Sequence, residues 1–125
     1  MKKIIYMSIF TTILTFIGCK TKEEKYLKDH EVIFCKTTEF EQFVENSEIK
    51  PIEARKLMID FVKRKNQVVQ SKMYFVVDGY YTFTNYIHPK IPEVYTGNIW
   101  VNSKTGEVKE MNHGIFIRAY NEYDW

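Results

Sequence analysis

A helical hydrophobic pattern in residues 51–65 is followed by a strand pattern in residues 72–86, and this change restricts the fold more than any other feature. Pro51 suits the first turn of a helix, and Lys63-Arg64-Lys65 suits the last turn. The second stretch is aromatic and β-branched around Asp78-Gly79, a pair that favours a hairpin turn because both residues adopt positive φ there. We therefore predict a helix and then a hairpin. The helix has apolar residues at i, i+3, i+4, i+7 and i+8, which are Ala54, Leu57, Met58, Phe61 and Val62.

The flanking residues add shorter predicted elements. Residues 31–37 form a possible first strand, and a short helix follows to residue 46 or 47, with Thr38 as its N-cap and Glu41 completing a capping box. Residues 87–93 are a proline-containing loop, after which three strands are predicted at 94–102, 107–111 and 115–120. The predicted fold class is α+β, with N-terminal helices packed on a three- to five-stranded, mostly antiparallel sheet. Residues 31–125 would form this single domain.

The N-terminus has the three zones of an export signal. Lys2 and Lys3 are basic, and the residues from Ile4 to Ile17 are uncharged, a run that is too short to span a bilayer comfortably. The run ends in Phe16-Ile17-Gly18-Cys19, which resembles a lipobox of bacterial lipoproteins, although Leu is usual where Phe16 stands. The resemblance implies cleavage after residue 18 and acylation of Cys19, which anchors the chain to the membrane. The alternative is an uncleaved, membrane-inserted helix.

Cleavage would change both the charge and the cysteine content. Loss of residues 1–18 leaves 107 of the 125 residues, with 16 basic and 16 acidic side chains and a formal net charge of zero. Nucleic-acid binding is not expected, because it requires an excess of clustered Lys and Arg. Acylation of Cys19 would leave Cys35 without an intramolecular disulfide partner. Packing of an aromatic-rich core would then stabilise the domain.

Residues 19–30 are interpreted as a charged, flexible tether with almost nothing to bury. An alternative is that Lys22-Glu23-Glu24 resembles the surface-export signal of lipoproteins in the Bacteroidetes. The lipobox predicts a membrane-anchored protein of a bacterial envelope, in the outer membrane, and this second motif would place the domain on the cell surface.

Two segments resemble small secreted bacterial domains of the cystatin-like class. They are the helix at 52–65 and the strand-turn-strand GNIWVNSKTGEVKEM at 97–111. Immunity proteins with a nuclear-transport-factor-like fold have a similar last hairpin, and PepSY domains have a helix followed by a hairpin like that of residues 104–108. The resemblance implies a fold and a binding or inhibitory role, and it transfers no functional residue.

The sequence shows no established catalytic pattern. His30, His88 and His113 are not at metal-ligand spacing, and neither a metal nor another cofactor is predicted. Cys35 lies in an apolar setting that favours a structural role. The alternative is a small hydrolase or thiol enzyme that pairs Cys35 with His88 or His113.

The strand region has more aromatic residues than one face of a small sheet can bury. We predict that some of them point away from the helices and form a partner-binding face, made of Tyr80, Tyr81, Tyr95 and Trp100. The alternative is that they cover the core or pair across strands. Tyr120, Tyr123 and Trp125 could extend this face or pin the C-terminus. The predicted function is a lipid-anchored, non-catalytic module that binds a protein or envelope ligand. An immunity or inhibitor role is one form of this prediction. A structural envelope lipoprotein is the other alternative.

Overall fold

The computed structural model describes residues 22–88 and 90–125, so the predicted signal and Cys19 lie outside the described residues. The fold is α+β, as predicted. The described helices are α1 (Lys22–Asp29), α2 (Thr38–Asn46) and α3 (Pro51–Arg64). The described strands are β1 (Val32–Phe34), β2 (Phe75–Val77), β3 (Tyr80–Phe83), β4 (Glu93–Tyr95), β5 (Asn98–Asn102), β6 (Val108–Met111) and β7 (Phe116–Arg118). Among these residues, each helix is too short or too polar for a membrane span.

The strands form an open five-stranded sheet and a separate pair. The order in the large sheet is β1-β2-β3-β5-β6, and β4 and β7 form the separate two-stranded sheet; every one of these pairings is antiparallel. The predicted hairpin between β2 and β3 is confirmed, with φ of 50° at Asp78 and 81° at Gly79. The turn before β6 has Gly106 at φ 79°, where a glycine is least strained.

Helices α2 and α3 cover one face of the five-stranded sheet. The apolar stripe of α3 contributes Ala54, Met58 and Val62, and all three are buried. They belong to the same core as the sheet residues Val76, Tyr81, Phe83, Ile99 and Val101. We call this side the helical face. The stripe was predicted to be core, and its burial confirms that prediction.

The opposite face of the same sheet is covered as well. Its inward side chains are Phe75, Val77 and Trp100, which pack in a second core with Val94 of β4 and Ile117 of β7. We call this side the strand-covered face. The two-stranded sheet covers a surface that the sequence predicts to be exposed.

Helix α1 occupies residues that were expected to form a flexible tether. Glu23 and Glu24 lie in its first turn and Lys28 in its last, a distribution that favours a helix through its dipole. Tyr26 is partly buried against the second core. Burial raises the pKa of the Tyr26 hydroxyl, although a hydrogen bond with Thr96 acts in the opposite direction. Residues 22–29 are therefore a docked helix rather than a free segment.

Two local predictions were wrong. The N-cap of α2 is Thr37, whose hydroxyl accepts a hydrogen bond from the Phe40 amide at 3.1 Å, so the helix begins one residue earlier than expected. Residues 94–102 are not one strand, because the chain passes from β4 to β5 through Gly97. A Cβ atom at Gly97 would lie 2.5 Å from the Tyr95 ring, and the next residue, Asn98, has φ 82°. The segment thus changes sheets at this point.

Candidate functional site

Two of the four residues predicted to contact a partner are buried. Tyr81 is 0% exposed and Trp100 is 4% exposed, so the prediction that they point outward is wrong. Tyr81 faces the helices, where its hydroxyl donates to the Ile49 carbonyl at 2.7 Å. Trp100 faces the other way and lies under the two-stranded sheet, with its indole N–H donating to the Thr96 carbonyl at 2.7 Å. Both polar tips are satisfied inside the domain, as buried Tyr and Trp require.

The other two residues, Tyr80 and Tyr95, are partly exposed and lie in different places. The Tyr80 ring packs against Trp100, with a centroid distance of 5.5 Å, and the Lys109 ammonium lies 4.2 Å above the Tyr80 ring. Tyr95 lies on β4 between two other aromatic rings. Its centroid is 5.9 Å from that of Tyr86 and 5.3 Å from that of Phe116. The structure therefore does not assemble the predicted four-residue face.

Tyr86, Tyr95 and Phe116 form the main exposed aromatic feature of the described residues, which we call the aromatic ridge. Tyr86 is 59% exposed and Phe116 is 45% exposed. Both line a large cleft of about 660 Å³ and a smaller cleft of about 380 Å³. Tyr95 lines the large cleft only. The ridge thus presents two outward rings, each reachable from two sides, on a third ring that is partly buried.

The backbone positions the ridge through pairing between distant segments. Tyr95 and Phe116 are direct partners across β4 and β7. The Tyr95 amide donates to the Tyr86 carbonyl at 3.1 Å, which brings the segment after β3 beside β4. The Asn98 side-chain amide donates to the Thr84 hydroxyl at 2.8 Å, which links the start of β5 to the segment after β3. Three parts of the chain therefore hold the three rings.

Uncharged amide side chains dominate the polar lining of the large cleft. The chain has seven Asn and three Gln, and five of these ten residues line this cleft: Asn66, Gln67, Gln70, Asn98 and Asn112. Its only acidic lining residue among those described is Glu110. Lys65 and Gln67 donate hydrogen bonds to Glu110 at 2.9 and 3.2 Å, and these bonds lower the pKa of its carboxyl group. The cleft combines aromatic surface with five uncharged amide side chains and one carboxylate that is ion-paired with Lys65.

Cys35 lies apart from the ridge, within the core of the helical face. It is fully buried, and desolvation raises the pKa of its thiol to about 12. The thiol contacts the Met73 carbonyl at 3.7 Å. A thiol with this pKa stays protonated at neutral pH and is a poor nucleophile.

The histidines are not beside Cys35. His88 is exposed in the loop before β4, where its Nδ1 accepts hydrogen bonds from the amides of Lys90 and Ile91. His30 pairs with Asp78 at 2.6 Å, and His113 is exposed after β6. No group of three or more His, Cys, Asp or Glu side chains suited to a metal ion occurs in residues 22–88 and 90–125.

The sequence does not predict a partner contact for Phe116 or Tyr86. They lie in the predicted strand segments 115–120 and 72–86, respectively. The alternation of exposed Phe116, buried Ile117 and exposed Arg118 is a strand signal in principle, but three residues are too few to recognise it.

Comparison with family models, with curated proteins and with solved structures finds no match for this chain.

Proposed function

We propose that this chain is a lipid-anchored, non-catalytic binding protein of a bacterial envelope, and that it binds a protein or envelope ligand at the aromatic ridge. Acyl chains on Cys19 would hold it in the outer membrane. The observation that carries the binding proposal is the exposure of Tyr86 and Phe116 at the border of two clefts. The anchor is supported by the lipobox-like sequence alone.

The aromatic ridge has the properties of a surface that contacts a ligand. Large aromatic side chains contribute most to binding when a rigid support holds them in place. Tyr95 supplies that support for both outward rings, at centroid distances of 5.9 and 5.3 Å. The amide side chains in the large cleft can form hydrogen bonds around a ligand that stacks on the rings. A ligand without a strong net charge fits this lining best.

A binding role is also supported by the positions of Cys35 and His88, the residues that a thiol enzyme would use. The Cys35 thiol is buried and has a raised pKa, and His88 is exposed on a loop that borders the opposite core. These placements favour a structural cysteine. An immunity or inhibitor protein is the form of the proposal in which the ligand is a single protein partner.

The test is capture of the ligand by the acylated chain from envelope and culture-supernatant fractions of the source cells. We expect one stoichiometric ligand whose capture falls at least about tenfold, or by about 1.4 kcal/mol, with Tyr86→Ala or Phe116→Ala. Ile52→Ala is the matched control, because Ile52 is exposed at the start of α3 on the helical face. Equal capture by all four proteins would refute the ridge as the binding site.

The anchor has a separate test. Cells are given labelled palmitate, and incorporation into the chain is compared with incorporation into Cys19→Ser. The expected result is labelling of the first protein only, with cleavage before Cys19. Labelling of Cys19→Ser, or its cleavage at the same position, would show that the lipobox interpretation is wrong.

A further inference from the structure

Helix α1 has a fixed direction along the domain, because its two ends and its middle are each held. At its start, Glu23 Oε1 accepts a hydrogen bond from the Arg118 amide of β7 at 3.0 Å. In its middle, Tyr26 packs in the second core and stacks on His30, with a centroid distance of 4.2 Å. Just past its end, His30 Nδ1 contacts Asp78 Oδ2 at 2.6 Å. The helix therefore runs from the end of β7 to the hairpin turn after β2.

This direction determines which part of the domain lies nearest to the proposed lipid anchor. Three residue steps separate Cys19 from Lys22, the first residue of α1. Three steps of an extended chain span at most about 11 Å. If Cys19 is acylated, as the proposed function requires, the bilayer surface lies within that reach of the start of α1. The end of β7 at Arg118 is beside this point.

The chain carries two exposed hydrophobic side chains immediately beyond that end. Arg118 pairs with Glu93, and the Ala119 amide donates to the Pro92 carbonyl at 2.8 Å. The next residues outward on the two paired segments are Ile91 and Tyr120. Ile91 is 44% exposed and Tyr120 is 71% exposed. Two exposed lysines lie near this end: Lys90 directly precedes Ile91, and Lys22 directly precedes Glu23, which binds the Arg118 amide.

We propose that Ile91 and Tyr120 form a lipid-contact surface that rests on the bilayer beside the acylated Cys19. Tyrosine suits the interface because its ring is apolar and its hydroxyl remains hydrated. Isoleucine adds apolar area that the headgroup boundary can bury, and lysine side chains extend to lipid phosphates. The acyl chains and this surface together hold the domain in one orientation. The inference rests on the proposed lipid anchor, and it does not require the aromatic ridge to bind a ligand.

A bilayer is the occupant that the geometry favours over a second protein. The anchor brings the lipid surface within reach of this end in every molecule, whatever else is bound. The end also combines apolar side chains with flexible cations, which is the composition of an interfacial contact. A second copy of the chain or another protein would have to displace the lipid from this position.

The experiment places tryptophan reporters in the acylated chain, reconstituted in phosphatidylcholine–phosphatidylglycerol vesicles. Tyr120→Trp and Ile91→Trp report on the proposed surface, and Ile52→Trp is the control on the helical face. Emission is compared in vesicles with and without brominated acyl chains, after subtraction of the parent signal from Trp100 and Trp125. We expect bromine to quench either reporter at the proposed surface several-fold more than Ile52→Trp.

Three results would overturn the inference. The first is equal quenching of all three reporters in protein that mass spectrometry shows to be acylated, which leaves the anchor intact. The second is protection of the Tyr120→Trp reporter from aqueous iodide without quenching by bromine, because this would place a protein rather than lipid on the surface. The third is a chain without acyl groups, and that result would remove the proposed anchor as well.

A second measurement tests the role of α1 in orienting the domain. Tyr26→Ala removes the side chain that docks the middle of α1, and it leaves the acyl chains and the reporters in place. In the Tyr120→Trp background, this substitution should reduce quenching by bromine toward that of Ile52→Trp. Unchanged quenching in a folded protein would show that α1 does not set the orientation.

Discussion

The two faces of the five-stranded sheet are both covered, but by different kinds of structure. Helices α2 and α3 cover the helical face, and α3 alone contributes Ala54, Met58 and Val62 from one continuous stripe. The strand-covered face lies under β4 and β7, each of which is three residues long and contributes one fully buried side chain. Those side chains are Val94 and Ile117.

This difference shows why an aromatic-rich strand does not by itself indicate a binding face. Trp100 alternates with Ile99 and Val101 along β5 and so points away from the helices, as the pattern predicts. It is nevertheless buried, because segments distant in sequence return to cover it. In the covering layer, Phe116 of β7 is exposed on the far side, because it alternates with the buried Ile117.

The largest predicted effect tests whether the strand-covered face is a true core. Trp100→Ala should lower the free energy of unfolding by about 3–5 kcal/mol, because it leaves a cavity and removes the hydrogen bond to Thr96. Urea denaturation measures the change. Trp125→Ala is the control, since Trp125 is partly exposed at the C-terminus. If both substitutions cost the same, the two-stranded sheet does not seal this face.

The second prediction concerns pH and the core of the helical face. The pKa of the Cys35 thiol is raised from 9.0 to about 12, so the folded state keeps the proton while the unfolded chain loses it above about pH 9. Stability from this group is complete below pH 9 and is lost as the pH rises toward 12. At about pH 11 the loss is roughly 2–3 kcal/mol.

Urea denaturation at about pH 8 and about pH 11 measures this loss, with Cys35→Ala as the comparison. The variant should lose less stability between the two pH values than the parent. Burial also raises the pKa of Tyr26, Tyr74 and Tyr81, and these groups contribute an alkaline loss in both proteins. An identical loss in parent and variant would contradict the assignment to Cys35.

The third prediction tests the polar contact that joins the helical face to the loop before α3. Tyr81→Phe should cost about 1–2 kcal/mol, because the Ile49 carbonyl loses one of its two side-chain donors and Ser47 loses a partner. Thermal or urea denaturation measures the change. Tyr80→Phe is the matched control, since among the described residues the Tyr80 hydroxyl makes no hydrogen bond, and its cost should be near zero. A similar cost for both substitutions would contradict the assignment of this stabilisation to the hydrogen bonds of the Tyr81 hydroxyl.

The smallest effect tests the edge of the strand-covered face. Glu23→Ala removes the acceptor for the Arg118 amide and should cost roughly 0.5–1.5 kcal/mol. Amide hydrogen exchange in residues 22–29 should become faster, while exchange in α3 stays unchanged. Glu23→Gln keeps a side-chain oxygen and should retain most of the protection. Faster exchange in both variants alike would show that this hydrogen bond does not hold α1.

Much of the fold was predictable because its signals are local. The stripe of α3 repeats over two turns, and Asp78-Gly79 has a backbone requirement that few other pairs meet. The docking of α1 was not predictable, because its octapeptide is highly charged and contributes Tyr26 to a core that the rest of the chain builds. The division of residues 94–102 between two sheets depends on the close approach of Gly97 to the Met111 carbonyl at the end of β6, which is tertiary.

The candidate site was predictable only in part. Of the residues selected from sequence, Tyr95 belongs to the aromatic ridge, Tyr80 lies elsewhere, and Tyr81 and Trp100 are buried. The sequence shows that the strands have more aromatic residues than one face of a small sheet can bury. It does not show which face of the sheet is covered by other segments of the chain. The aromatic residues near the C-terminus also differ in whether they pack against the core. Tyr123 and Trp125 pack against Phe40 and Phe83, and Tyr120 is exposed.

The sequence alone determined the α+β class, the helical face and the tight hairpin, because each depends on residues close together in the chain. The lipobox-like segment remains a prediction from the same local reading. Only the tertiary structure decided that β4 and β7 bury Trp100 and that Tyr86, Tyr95 and Phe116 meet. The physical reason is that strand pairing between distant segments depends on the whole chain, and a three-residue strand carries too little periodicity to reveal its partner.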